Sequence, residues 1–294
     1  MLKRFTGESL KRYVELPRDL EPNLLAATHH TLDTQGGFGR ANLAMGVGEA
    51  LGMGKDKAEA LGAAIELFHL ASLILDDLPC MDDAEFRRSR KCVHRDFGEG
   101  SAILVALGFI NRAYTILWDV FSMAPPKQRR EAADLVDECL GFGGILDGQS
   151  RDIHFGGSFG RGDSVKRIAK QKTGSLIRLC LLLPAIICDA SRYDKMHLAR
   201  LTDNWGVAYQ VADDLKDLRL SEASSGKSTQ RDRLLGRPNM VLAIGEDAAA
   251  RLLSSLIEMS ERSLQQLDGI AVLSQFQAIL IEKVEPLIAA CAAA

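Results

Sequence analysis

The chain has 294 residues, with 36 Lys and Arg against 39 Asp and Glu, a formal net charge of −3. That balance excludes a polybasic surface built to coat nucleic acid, so no nucleic-acid partner is expected. Hydrophobic residues make up 47% and charged residues 26%, which excludes a disordered chain and suffices for a buried core.

The N-terminus, Met1-Leu2-Lys3-Arg4-Phe5, is soon followed by Glu8, Arg12 and Glu15 and has no apolar signal core. Gly36-Gly37 breaks the chain ahead of the first long stripe. Over 58–75 the apolar residues Leu61, Ala64, Ile65, Phe68, Ala71 and Leu75 recur at helical spacing, until Pro79 stops the helix. Similar stripes run through 103–118, 130–140, 164–188, 197–215 and 240–267. Further breaks fall at Pro125-Pro126, 155–162 and 221–236. No alternating run is bounded by Asn-Gly or Asp-Gly, so strands are not supported. The pattern predicts one all-α domain over 1–294 with about ten helices.

Six cysteines, Cys80, Cys92, Cys139, Cys180, Cys188 and Cys291, are scattered with no C-x-x-C pair. A zinc ribbon and a dense disulfide framework are therefore not expected, and a reducing, cytoplasmic setting is. The most apolar run, 179–188, is too short to span a bilayer and contains Pro184, so no integral membrane segment is expected.

Two acidic clusters carry the chemistry. The first, Asp76-Asp77-Leu78-Pro79-Cys80-Met81-Asp82-Asp83, follows the apolar stripe directly. Carboxylates at a helix C-terminus face the negative end of the helix dipole and call for a cation. Beyond Pro79 the chain leaves helical phase, so Asp82 can fold back toward Asp76. The second cluster, Asp213-Asp214-Leu215-Lys216-Asp217, places Asp213 and Asp217 one turn apart on one helical face. Short carboxylates suit a hard cation, Mg²⁺ above all, which commonly shares its shell with water and substrate phosphate. Two facing clusters would hold several ions and a polyphosphate; a single Asp-Asp pair would more often be a solvated helix end. Arg87-Arg88, Lys172-Thr173-Gly174 and Gly226-Lys227 with Asp232 lie close by in sequence and offer phosphate donors.

The stretch from His69 through Asp76-Asp77-Leu78-Pro79-Cys80-Met81-Asp82-Asp83 to Arg88, continuing to His94 and Glu99, resembles the first aspartate-rich motif of the trans-isoprenyl (polyprenyl) diphosphate synthases. Tyr209-Gln210-Val211-Ala212-Asp213-Asp214-Leu215-Lys216-Asp217 resembles the second. Gly148-Gln149 with Asp152, Lys172-Thr173-Gly174 and Gly226-Lys227 follow the family's order, and the similarity covers roughly 30–245, most like the geranylgeranyl diphosphate synthases of bacterial carotenoid pathways.

The resemblance implies an isoprenoid synthase fold, helices around a central apolar cavity, and a likeness to homodimers. It implies a Mg²⁺-dependent condensation of isopentenyl diphosphate with an allylic diphosphate, farnesyl diphosphate for a C20 product, through ionisation, attack and proton loss. About three Mg²⁺ ions would be held by Asp76 and Asp82 with Asp77 in support, and by Asp213 with Asp217 through water. Arg87, Lys172 and Lys227 would grip the allylic diphosphate, with Thr173 and Gln210 near the reacting carbons. Arg40, Arg88 and His94 would hold isopentenyl diphosphate. One departure stands out: where the family has Gly-Lys-Arg-x-Arg-Pro this chain has Gly36-Gly37-Phe38-Gly39-Arg40-Ala41, so two cations are missing. Chain length is assigned to Ser72 and Ala71, four and five residues before Asp76; both leave a shaft open that Phe68, one turn deeper, could close.

Rival readings are another chain length, a non-isopentenyl acceptor, or a non-catalytic subunit of a prenyl synthase. Gly46-Val47-Gly48-Glu49-Ala50-Leu51-Gly52 is read as helix packing, because no strand precedes it. The kinase-like triplets in 94–98 share a single Asp and are set aside. His69, inside an apolar stripe, is read as an inner histidine with its hydrogen bonds satisfied.

Overall fold

The computed structural model describes residues 5–33, 36–156, 162–223, 236–267 and 269–292. They are overwhelmingly helical and fall into two compact units, Met1–Arg129 and Arg130–Ala294.

In the first unit the helices are α1 (Gly7–Arg12), α2 (Pro22–Asp33), α3 (Gly39–Ala50), α4 (Lys55–Asp76), α5 (Val93–Phe97) and α6 (Glu99–Ser122). The centre is α4, whose residues from Ala58 to Ile74 are buried on nearly every side. A helix this apolar is stable only when neighbours cover it all round, and α3 and α6 do so. Gly62 lets α3 come close: a side-chain carbon there would stand 2.9 Å from the Ala41 carbonyl oxygen. By length and composition α4 and α6 could each cross a membrane, but 72% of the apolar window of α4 is buried inside the protein, against 39% for α6.

Between α4 and α5 the chain forms a two-stranded antiparallel hairpin, β1 (Phe86–Arg87) and β2 (Arg90–Lys91), with Arg87 opposite Arg90. Its turn residues Arg88 and Ser89 have φ of 53° and 65°. Two successive left-handed residues make a turn that matches strand twist. The sequence offers no Asn-Gly or Asp-Gly here and the strands are two residues long, so periodicity does not reveal them.

The second unit is built from α7 (Pro126–Leu140, its first turn still in the first unit), α8 (Ile145–Ile153), α9 (Gly162–Ala169), a π-helical turn (Lys170–Gly174), α10 (Ser175–Ile187), α11 (Arg192–Ala223), α12 (Met240–Ile244), α13 (Glu246–Leu264) and α14 (Ala271–Ala292). The long helix α11 packs on α10 and α13. Stripe 240–267 is two helices rather than one, because Gly245 at φ 85° turns the chain sharply between α12 and α13. Asn239 caps α12 by accepting the Leu242 N–H at 3.0 Å. Gly206 of α11 crosses the π turn so closely that a side-chain carbon on it would stand 2.8 Å from Gly174 Cα.

Candidate active site

In the first unit the chain reverses after Pro79, and the Asp82 N–H donates to the Asp76 carbonyl at 2.9 Å. The loop is tied further by Met81 and Asp83 N–H groups on the Leu78 carbonyl and by Ala84 N–H on the Asp77 carbonyl. Asp76 and Asp82 thereby end adjacent at the C-terminus of α4, the fold-back expected from Pro79.

The cation that the helix dipole demands is Arg87. Its Nε donates to Asp77 Oδ1 and Oδ2 at 2.8 and 2.9 Å, and its Nη2 to Oδ1 at 2.6 Å. Burial works against the Arg87 charge, but the Asp77 bonds outweigh it and hold the guanidinium pKa above its ordinary value. Asp77 is 4% exposed and spends both oxygens on this fork. The neighbouring Cys92 thiol is pushed up to about 12, by burial first and then by the Asp77 charge, and so is inert.

A second cationic group forms around the middle of α4. Arg40 Nη1 lies 3.2 Å from His69 Nε2. His69 has its pKa lowered to about 2, by burial and then by the charges of Arg40, Arg88 and Arg87. The ring is therefore neutral and accepts from Arg40. Its bond is satisfied, as expected of an inner histidine, yet its partner is a site residue. Glu66, one turn earlier and 2% exposed, has its carboxyl pKa raised by burial, with Arg40 and Arg88 pulling the other way. Gly36 packs directly against the Arg88 guanidinium. His94 is buried on α5, and neither ring nitrogen has a hydrogen-bond partner among the described residues.

The departure at 36–41 has a local explanation. Phe38 caps α3 in the left-handed region, packs its ring at a tilt against Phe5 at 5.7 Å between centroids, and its carbonyl accepts from the Asn42 side-chain amide at 2.8 Å. It serves packing. Gly37 is exposed, and a side-chain carbon there would meet nothing within 4 Å.

In the second unit Lys172 and Thr173 ride on the π turn, a local widening of the helix that often marks functional sites. Gly148 makes room for it, since a side-chain carbon there would fall 2.7 Å from the Lys172 nitrogen. One turn on, Asp152 Oδ2 accepts from Lys172 Nζ at 2.9 Å and from Arg237 Nη1 at 3.3 Å. Thr173 Oγ1 reaches Gln210 Oε1 at 3.4 Å, and Gln210 Nε2 donates to Asp214 Oδ1 at 2.9 Å. Asp214, 2% exposed, accepts the Met240 N–H at 2.6 Å on its other oxygen. Asp213 and Asp217 are instead exposed, one turn apart on α11. The Asp217 carboxyl is raised above its ordinary range by desolvation and by the Asp213 charge. Lys227 and Asp232 lie outside the described residues.

Among the described residues no three His, Cys, Asp or Glu side chains converge into a ready metal cage. Mg²⁺ rarely uses one; it takes one or two carboxylates and completes its shell with water and phosphate. Asp213 and Asp217 fit that requirement, because their mutual repulsion is what a hard cation relieves. Asp76 and Asp82 offer the same donor chemistry. Four residues, given no role from the sequence, position site residues in their own units: Glu66 in the first, and Asp152, Asp214 and Arg237 in the second. Asp152 and Asp214 carried a signal, as members of the motifs quoted above, and so did Glu66, a carboxylate inside an apolar stripe.

The family described as Polyprenyl synthetase matches residues 21–271. The chain is 33% identical over 232 residues to the farnesyl diphosphate synthase of Escherichia coli, covering 78% of this chain and 77% of that one. It is 32% identical over 204 residues to the geranylgeranyl diphosphate synthase of Pseudescherichia vulneris, a match covering 69% of this chain but only 64% of that relative's length. In fold it is similar to a geranyltransferase from Legionella pneumophila, with a TM-score of 0.82 at 24% identity, covering 95% of this chain and 94% of the other.

Proposed function

Because the chain belongs to the polyprenyl synthetase family of trans-isoprenyl diphosphate synthases, we propose that it is a Mg²⁺-dependent prenyltransferase that extends an allylic diphosphate with isopentenyl diphosphate. The observation that carries this reading is a repeated arrangement. In each unit a carboxylate next to an acidic or glycine motif steadies a cation suited to a diphosphate: Asp77 holds Arg87, and Asp152 holds Lys172. Such side chains are pre-oriented, so gripping a diphosphate costs little additional ordering.

In the proposed reaction the allylic C–O bond breaks and the electron pair leaves with diphosphate. The double bond of isopentenyl diphosphate attacks the allylic cation, and a proton passes to the departed diphosphate. Bound Mg²⁺ supplies Lewis-acid stabilisation of the charge on the leaving group. Asp76, Asp82, Asp213 and Asp217 provide its carboxylate oxygens, whereas Asp77 serves to position Arg87. To the allylic diphosphate we assign Arg87, Lys172 and Arg237, together with Lys227 from outside the described residues, and to the reacting carbons the Thr173–Gln210 pair. For isopentenyl diphosphate we assign Arg40, Arg88 and His94, with His69 positioning Arg40 through its Nε2.

The chain-length reading favours geranylgeranyl diphosphate. Ala71 and Ser72 are small, and Phe68 is buried with its ring edge-on to Tyr114 at 5.0 Å, a rigid floor one turn below. We also propose a homodimer through α6. Leu104, Leu107, Tyr114 and Trp118 recur on one face of that helix and are all exposed, Trp118 to 80%.

The decisive experiment incubates the protein with Mg²⁺, labelled isopentenyl diphosphate and the C5, C10 and C15 allylic diphosphates in turn, and sizes the products. A C20 product is expected. Allylic turnover without isopentenyl incorporation would favour a different acceptor, and no turnover with any primer would overturn the enzyme assignment.

A further inference from the structure

A cavity of about 420 Å³ lies wholly within the second unit, between α11 and α13, and shares no residue with the site described above. His197, Arg200 and Asn204 line it from successive turns of α11, Arg262 and Ser263 line it from α13, and Lys170 stands at the head of the π turn. Three cations against the single carboxylate of Asp203 leave a formal charge of +2 (3 − 1) before His197 is counted. Lys170 Nζ is bonded to Asp203 Oδ2 at 2.7 Å. Arg200 and Arg262 are exposed and have no ion-pair partner among the described residues. His197 is 6% exposed, and its Nδ1 has no hydrogen-bond partner among the described residues.

Lys170, Arg200 and Arg262 are exposed around the open mouth of the pocket, and beneath them the buried His197 ring keeps a nitrogen without a partner, which is costly. An anion seated among them would draw on the three cations and give that ring nitrogen a partner. We propose that this cavity is a binding site for a phosphate or diphosphate group. Arg200 and Arg262 provide planar forks matched to phosphate oxygens. The Asn204 amide and the Ser263 hydroxyl add neutral donors, and Lys170 can turn from Asp203 to the anion. Met259 is the one apolar side chain lining the cavity, so the site takes the charged head and not a hydrocarbon tail. The anion is either free diphosphate or the head of a prenyl diphosphate. The inference stands apart from the reaction proposed above, because none of these side chains has a part in it.

The test is calorimetric titration of the whole protein with inorganic diphosphate in EDTA, which removes metal-dependent binding. Arg200→Ala/Arg262→Ala is compared with wild type and with Lys172→Ala, each checked for unchanged helical circular dichroism. The expected result is binding that weakens at least tenfold in the double variant and persists in Lys172→Ala. Equal binding by wild type and double variant, loss in Lys172→Ala, or no binding by wild type at millimolar diphosphate each overturns the proposal. Arg262→Gln replaces the double variant if that fails to fold. Farnesyl diphosphate is titrated in parallel: dependence on Arg200 and Arg262 for it identifies a lipid-borne head, and dependence confined to inorganic diphosphate identifies the free anion.

Discussion

Arg40 and His69 are joined by a hydrogen bond of 3.2 Å, from a guanidinium that is always charged to an imidazole that stays neutral. The ring cannot take a proton without losing its acceptor and facing Arg40, Arg88 and Arg87 as a fourth positive charge. The neutrality of His69 is thus a condition for holding Arg40 in place.

That condition has a pH signature. The ordinary histidine value is 6.5 and the folded value is about 2. Below about pH 6.5 the unfolded chain binds a proton that the folded chain refuses, so folding stability falls as pH falls from about 6.5 toward 2. The ceiling is about 1.4 kcal/mol per pH unit. His69→Gln keeps an acceptor for Arg40 but cannot titrate. Denaturant unfolding at pH 7.5 and pH 5 should show wild type losing up to about 2 kcal/mol more than the variant. Parallel losses would mean that His69 is not held neutral.

Asp213 and Asp217 share a face of α11, and each raises the cost of the other's charge. Asp213→Asn should bring the Asp217 carboxyl back toward its ordinary range, readable by NMR titration. The same variant should cut turnover by about a hundredfold or more and raise the Mg²⁺ concentration needed for half activity. Helical circular dichroism should be unchanged, since both side chains are exposed. Full activity in Asp213→Asn would remove this residue from the metal reading.

The resemblance, aligned on Arg40, puts Gly37 at the position of the family's lysine, and a side-chain carbon there would meet nothing within 4 Å. Gly37→Lys should therefore fold normally and lower the KM for isopentenyl diphosphate while leaving that for the allylic substrate alone. A charge-assisted bond contributes about 1.5–3 kcal/mol, and solvent screening at an exposed position reduces this to roughly a three- to tenfold change. An unaltered KM would point to a second substrate other than isopentenyl diphosphate.

Ala71 is 1% exposed, one turn above Phe68. Ala71→Phe should shorten the product by at least one C5 unit, at an overpacking cost of about 1–3 kcal/mol. Ser72→Phe, at a less buried position, tests the same idea with less strain. Phe68→Ala should lengthen the product. Product sizing by reverse-phase chromatography decides, and unchanged length in all three variants would remove α4 as the chain-length ruler.

Trp118 is the most exposed member of the apolar face of α6. Trp118→Arg should shift the protein from dimer to monomer in light scattering at micromolar concentration. A monomeric wild type would leave that face for another occupant.

Much of this protein is written locally. The stripe at 58–75 dictates a helix, Pro79 dictates its end, and the reversal that sets Asp82 against Asp76 follows from those two facts. The pairing of Asp213 with Asp217 needs only the helical period. The hairpin at 86–91 escaped because two-residue strands carry no period, and stripe 240–267 concealed Gly245 because its apolar spacing continues across the turn. What sequence could not assign was the partner of each charge. Arg87 finds Asp77 ten positions away, Arg40 finds His69 across 29 and Arg237 finds Asp152 across 85. Periodicity states which face of a helix a side chain occupies and is silent about what stands opposite. Packing settles that, because a buried charge is tolerated only where the fold brings a counter-charge or a neutral acceptor to meet it.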